Sequence, residues 1–168
     1  MSGPASPITV SGTCHPDAFD PMLAAIAAAI TGASGGAIDE FTAANTLVVA
    51  PDETEQGIDA MIGQAMARAK GLCLLLVSGS AKNPDTSAPG PRLTLSLELQ
   101  LYVSTRIRAK GSRSVLELLA AIMRTLHHAQ IRISGFTWYE ELRVIGFDPV
   151  GDPDFTSYTI NLERDFQL

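Results

Sequence analysis

RLTLSLELQLYV, residues Arg92–Val103, decides how this chain folds. Leu93, Leu95, Leu97, Leu99, Leu101 and Val103 alternate without a break with Arg92, Thr94, Ser96, Glu98, Gln100 and Tyr102. An apolar group at every second residue is the period of a strand with one dry face and one wet face. On a helix the same spacing scatters leucine round the whole circumference, so the helical reading fails. Strands usually span ~5–6 residues, and this run is about twice that length. A long strand with a polar second face suits an antiparallel sheet and is assembly material more than catalytic material. Glu98, Gln100 and Tyr102 are its outward positions, left for solvent or a neighbour.

Outward from this ladder, Ser114 and Glu117 have capping-box spacing and open a helix carrying Val115, Leu119, Ile122 and Leu126 on one stripe, with Leu116 and Met123 alongside. That helix is expected to cover the ladder's apolar side. Upstream, Leu72–Val77 (LCLLLV) is continuously apolar and reads as a strand buried on both faces. Before it, a helix is expected from about Asp52, with Glu55 three residues on and Ile58, Met61, Ile62, Ala65 and Ala69 as its stripe, ending at Gly71. Thr46–Ala50 is a short strand. Asp20-Pro21 marks an earlier helix start, with Asp as N-cap and Pro first inside, running through Leu23, Ile26, Ala27 and Ile30 to Gly32. Gly35-Gly36 is read as a turn, and Ser78–Pro91 as the least structured interior stretch. Trp138–Phe147 and Tyr158–Leu162 read as two strands joined around Pro149, Gly151 and Pro153. In the second, Tyr158, Ile160 and Leu162 face in and Thr159, Asn161 and Glu163 face out.

The expectation is a single α+β domain, a mostly antiparallel sheet with about three helices packed on one side. Residues 1–16, rich in Ser, Gly, Pro and Thr, form a flexible lead, and residues 17–168 form the domain. A chain of 168 residues is one domain on length alone and large enough to bury a core without staples. Hydrophobic residues make up 46% and charged residues 18%, a globular balance rather than a disordered one. Cys14 and Cys73 do not make a disulfide framework, and Cys73 sits inside an apolar run. No basic segment leads into an apolar stretch, and no run approaches the ~20 apolar residues of a membrane span. A cytoplasmic chain with no membrane partner is expected.

The net charge of −6 hides an asymmetry. Up to Ala67 there is no Lys or Arg, and there are eight acids; from Arg68 onward all 12 basic residues face the other ten. Helix N-terminal acids account for part of this. A head-to-tail contact between opposite patches of two subunits accounts for it as well. The densest basic cluster is Arg106, Arg108, Lys110 and Arg113; the first three share parity and would project to one side of an extended segment. It reads either as a solvated connection, charged against further strand pairing, or as an anion surface for nucleic-acid phosphate or a neighbour's acidic flank.

Signatures of catalysis are weak. Gly32-Ala33-Ser34-Gly35-Gly36 matches G-x-S-x-G, but a helix precedes it where the hydrolase elbow needs a strand. No phosphate loop is present, and no G-x-G-x-x-G follows a strand. His127 and His128 are adjacent and point about 100° apart, so they do not chelate as an i, i+4 pair does. Cys14-His15 has no second cluster at ligand spacing. Glu140 and Glu141 alternate across a strand and do not make a dyad. No catalytic, cofactor or metal residue is assigned, and the chain is not expected to be an enzyme.

The element order is helix, short strand, helix, LCLLLVSGS, loop, LTLSLELQLYVST, the helix SVLELLAAIMRTL, and a closing strand pair that ends YTINLERDF. Over residues 17–168 it resembles the small tail completion or tail terminator proteins of long-tailed phages and Mu-like prophages. The resemblance implies a homo-oligomeric ring, commonly a hexamer, that caps the head-proximal end of the tail tube and joins it to the head connector. It implies assembly in the cytoplasm, residence in the virion tail, tube and connector proteins as partners, and DNA passing through the channel. Carried to this chain, Arg106, Arg108, Lys110 and Arg113 become candidates for the lumen or subunit contact, and the loop Ser80–Pro91 a candidate for ordering on assembly. The alternative class is a small cytoplasmic ligand-binding domain or enzyme with an apolar pocket beneath the ladder and His127, His128 or Tyr158 as polar groups. That class needs convergent titratable residues, and the sequence offers no such trio.

Overall fold

Arg92–Val103 forms strand β4 at the centre of a five-stranded sheet. The computed structural model describes residues 8–10, 19–32, 38–49, 52–82, 92–104, 106–108, 110–133, 141–151 and 155–167. In chain order the elements are β1 (Ile8–Val10), α1 (Phe19–Thr31), β2 (Thr46–Val48), α2 (Glu55–Arg68), β3 (Leu72–Lys82), β4, α3 (Val115–Leu126), β5 (Ile131–Ile133), β6 (Arg143–Val150) and β7 (Thr156–Gln167). The sheet runs β2-β3-β4-β7-β6, and every pairing in it is antiparallel except β2 with β3. A separate parallel pair joins β1 to β5. The expected α+β class is the one that forms.

Alternation along β4 sorts its side chains as the sequence requires. Leu95, Leu97, Leu99, Leu101 and Val103 are buried, and Thr94, Ser96, Glu98, Gln100 and Tyr102 are half-buried on the other face. On the dry face they join Leu72, Leu74 and Leu76 of β3 and Ile160 and Leu162 of β7, with Tyr158 packed beside them. Helices α1 and α3 complete this core through Met22, Leu23, Ile26 and Ile30, and through Leu118, Leu119, Ile122 and Leu126. Each leucine so enclosed contributes about 2 kcal/mol relative to exposure.

The helices are not all on one side. Cys73 and Leu75 of β3 point away from the main core and pack with Val49 and with Ile62, Ala65 and Met66 of α2. Helix α2 therefore covers the opposite face at the β2–β3 end of the sheet. It links two parallel neighbours, and the hand of such a crossover, not the helix's own stripe, selects the face.

Helix ends differ from expectation where several polar residues compete. Thr54, not Asp52, caps α2: its hydroxyl accepts from Gly57 N at 3.1 Å. Helix α1 begins at Phe19, so Pro21 falls in the first turn, where its missing N–H costs nothing. Gly32 ends that helix at φ 89°. Leu116 (71% exposed) and Met123 (40%) stand on the outer side of α3 rather than in its buried stripe.

Strand β3 runs on to Lys82, past the expected end at Val77 and into the stretch read as least structured. A bulge between Val77 and Ser80 makes the extension fit. The polar lead contributes one strand, β1, where fraying is expected. The turn at Gly35-Gly36, Trp138 and most of the Ser78–Pro91 loop lie outside the described residues. Among the described residues no helix is long and apolar enough to cross a membrane.

Candidate functional site

The basic connection after β4 is a pair of turns and not an extended segment. Ser104 N donates to Gly71 O at 2.8 Å, Arg108 N donates to Ser104 O at 3.3 Å, and Gly111 takes φ 95°. Shared parity therefore does not align Arg106, Arg108 and Lys110. Arg106 and Lys110 are exposed, and Arg108 is half-buried. Arg113 is committed within the chain, its Nε 3.3 Å from Glu40 Oε1 in the loop after α1.

Glu98, Gln100 and Tyr102 are half-buried on the face opposite the main core, and Tyr102, expected to be left for solvent or a neighbour, packs against the cluster beneath α2. Tyr102 Oη donates to Gln100 Oε1 at 2.9 Å, and Gln100 Nε2 donates to Glu98 Oε1 at 2.6 Å, so the three side chains form one line along β4. The Tyr102 ring meets Phe155 edge-to-face at 6.4 Å. Register carries the face across β7 and β6, because residues paired across strands share a side. Asn161 Nδ2 donates to Asp148 Oδ2 at 2.7 Å; Thr94 Oγ1 donates to Asp165 Oδ1 at 2.6 Å, and Arg143 Nη2 lies 2.9 Å from Asp165 Oδ2. Glu98, Asp148, Glu163 and Asp165 share this face with Arg143, and the register of β3 and β4 adds the basic positions Lys82, opposite Thr94, and Arg92.

A cleft of about 380 Å³ lies at the end of the sheet where β3 begins. It is walled by the loop 38–45, the end of α2 and the connection, and Arg68, Lys70, Arg108, Asp39, Glu40 and Asn45 are among its lining residues. Asn45, fully buried, builds the loop: its Oδ1 accepts from Thr42 N at 2.7 Å and its Nδ2 donates to Glu40 O at 3.0 Å. Sequence reading missed the cleft. A turn-forming Asn just before a β-branched run is a legible sign of an ordered loop, but nothing local ties that loop to Arg68 or Arg108.

The other candidates have structural uses. His127 caps α3, and its Nδ1 accepts from Val144 N at 3.2 Å. His128 takes φ 64°, and its Nδ1 lies 2.5 Å from Glu141 Oε2. Among the described residues no three His, Cys, Asp or Glu side chains are grouped to hold a metal. Burial pushes the Cys73 thiol from 9.0 up to about 12, which leaves it protonated at neutral pH. Ser34, Cys14, His15 and Glu140 lie outside the described residues. Of the Ser80–Pro91 loop, Ser80, Ala81 and Lys82 pair with Ser96, Leu95 and Thr94. Arg164, which sequence reading left unassigned, is buried on the core face opposite Leu95. No family model and no curated protein sequence matches the chain.

Proposed function

We propose that this chain is a structural subunit of a phage or prophage tail, a terminator or completion protein. In this reading it closes the head-proximal end of the tail tube as a homo-oligomeric ring and joins it to the head connector. The tail assignment rests on the likeness of element order set out above. The observation that carries the assembly role is the outer edge of the sheet. Among the described residues strand β6 pairs in the sheet with β7 alone and exposes Ile145 (55%) and Val150 (48%). An edge strand with apolar side chains in water is a pairing site unless something covers it. Exposed Leu116 and Met123 on α3 add apolar surface of the same kind, and the acid-rich first part of the chain and the basic connection supply opposite charges for a head-to-tail neighbour.

Light scattering over a range of concentrations, with electron microscopy of the largest species, tests the reading. Ring-shaped particles, or binding to purified tail tubes, are the expected result. Ile145→Lys, where the register of β6 shifts between Val144 and Gly146, and charge reversal of Arg106, Arg108 and Lys110, should impair ring formation or tail joining while the fold is kept. A chain that stays monomeric at every concentration and binds no tail component overturns the proposal.

A further inference from the structure

The cleft at the head of β3 has a charge balance that its own hydrogen bonds do not use up. Three cations line it: Arg68 from the last turn of α2, Lys70 just beyond that helix, and Arg108 from the connection after β4. None of the three has an ion-pair partner among the described residues. Of the two acids in the wall among the described residues, Glu40 is paired with Arg113 through Oε1, so of those residues Asp39 alone offsets the three cations. The amide of Asn45 is spent on the loop itself, its oxygen on Thr42 N and its nitrogen on Glu40 O.

Two of these cations invite a purely local explanation, and it falls short. Basic residues near a helix C-terminus offset its dipole, which suits Arg68. Lys70, however, takes φ 53°, the left-handed region where glycine or asparagine is the ordinary choice. A lysine there keeps a cation at the cleft wall against backbone preference. Arg108 belongs to a different segment and follows no helix.

We infer that this cleft binds a phosphate-bearing anion through Arg68, Lys70 and Arg108. A cavity of about 380 Å³ falls in the small-molecule range. A phosphate offers several acceptor oxygens in more than one direction, which matches two guanidinium forks and one ammonium better than a single carboxylate does. The phosphate belongs either to a free phosphorylated compound or to a nucleic-acid backbone.

The test follows the backbone amides of Asn45, Gly71 and Ser112 in ¹⁵N spectra as inorganic pyrophosphate is added at constant ionic strength, with chloride as control. Saturable shifts at these amides are expected at up to millimolar concentration, and Arg108→Gln should weaken binding about tenfold. Lys70→Gly is the second variant. It relieves the left-handed strain and removes a cation, so it should melt higher and bind pyrophosphate more weakly. A short single-stranded oligonucleotide that competes with pyrophosphate at the same amides makes a nucleic-acid backbone the source; failure to compete makes it a free phosphorylated compound. Absence of saturable shifts with pyrophosphate overturns the inference. So does unchanged affinity in a Lys70→Gly chain with a native spectrum.

Discussion

Arg113 Nε lies 3.3 Å from Glu40 Oε1, so the connection that follows β4 is tied to the loop that follows α1. The pair joins the acidic first part of the chain to the basic remainder. Some of the charge asymmetry is thus used inside the chain itself.

The size of that tie is set by its exposure. The Arg113 side chain is 42% exposed and Glu40 24%, which places the pair among solvent-screened bridges. A double-mutant cycle with Arg113→Ala and Glu40→Ala, read by urea unfolding, should give a coupling of about 0.2–1 kcal/mol. Molar salt should reduce it.

Helix α3 starts with a complete capping box. Ser114 Oγ accepts from Glu117 N at 3.3 Å, and Ser114 N donates to Glu117 Oε2 at 2.6 Å. The hydrogen bonds from the Ser114 backbone and hydroxyl hold the Glu117 carboxyl below its ordinary 4.5. A carboxyl depressed in the folded state adds stability above its unfolded pKa, and that stability is lost as pH falls through the folded value. An NMR titration should find Glu117 protonating at lower pH than in Ser114→Ala. Loss of the cap in Ser114→Ala should cost about 1 kcal/mol at neutral pH by urea unfolding.

Two glycines should respond to alanine with opposite signs. A Cβ on Gly79 would stand 1.5 Å from the backbone oxygen of Ser96, across the bulge that lets β3 continue to Lys82. Gly79→Ala should destabilise by roughly 1–3 kcal/mol, because backbone must move. Gly63 lies in α2 with nothing within 4 Å of an added Cβ. Gly63→Ala should stabilise by about 0.5–1 kcal/mol. Thermal unfolding of both variants checks the contrast.

Cys73 is fully buried between β3 and α2, and its thiol is pushed up to about 12. In a Cys14→Ser background, a thiol-specific disulfide reagent should leave the native protein unlabelled on the timescale of mixing. Labelling should then proceed no faster than unfolding, and at once in denaturant. Rapid native labelling would show that α2 detaches from the sheet.

Much of the fold was legible in sequence because its signals are local. Period-2 alternation assigned every described side chain of β4 to its correct face, and the same reading placed Tyr158, Ile160 and Leu162 inward on β7. The i, i+3 pair Ser114 and Glu117 identified both the start of α3 and its cap. Local signals fail where neighbours compete or where the backbone departs from the assumed form. Asp52 and Thr54 both offer cap oxygens, and only the geometry selects Thr54. The parity of Arg106, Arg108 and Lys110 lost its meaning once the segment turned.

By itself the sequence determined which residues lie on which side of β4 and of β7 from Tyr158 to Glu163, because side-chain alternation is a property of the backbone at that residue. It determined the central strand and the helix ends that carry unambiguous caps. Tertiary structure alone decided that α2 crosses to the face opposite α1 and α3, since a parallel pair takes its crossover's hand from the sheet. It alone brought Asp39, Arg68 and Arg108 to one cleft. Those residues are far apart in the chain, and no spacing along a sequence encodes a meeting that depends on three elements packing at once.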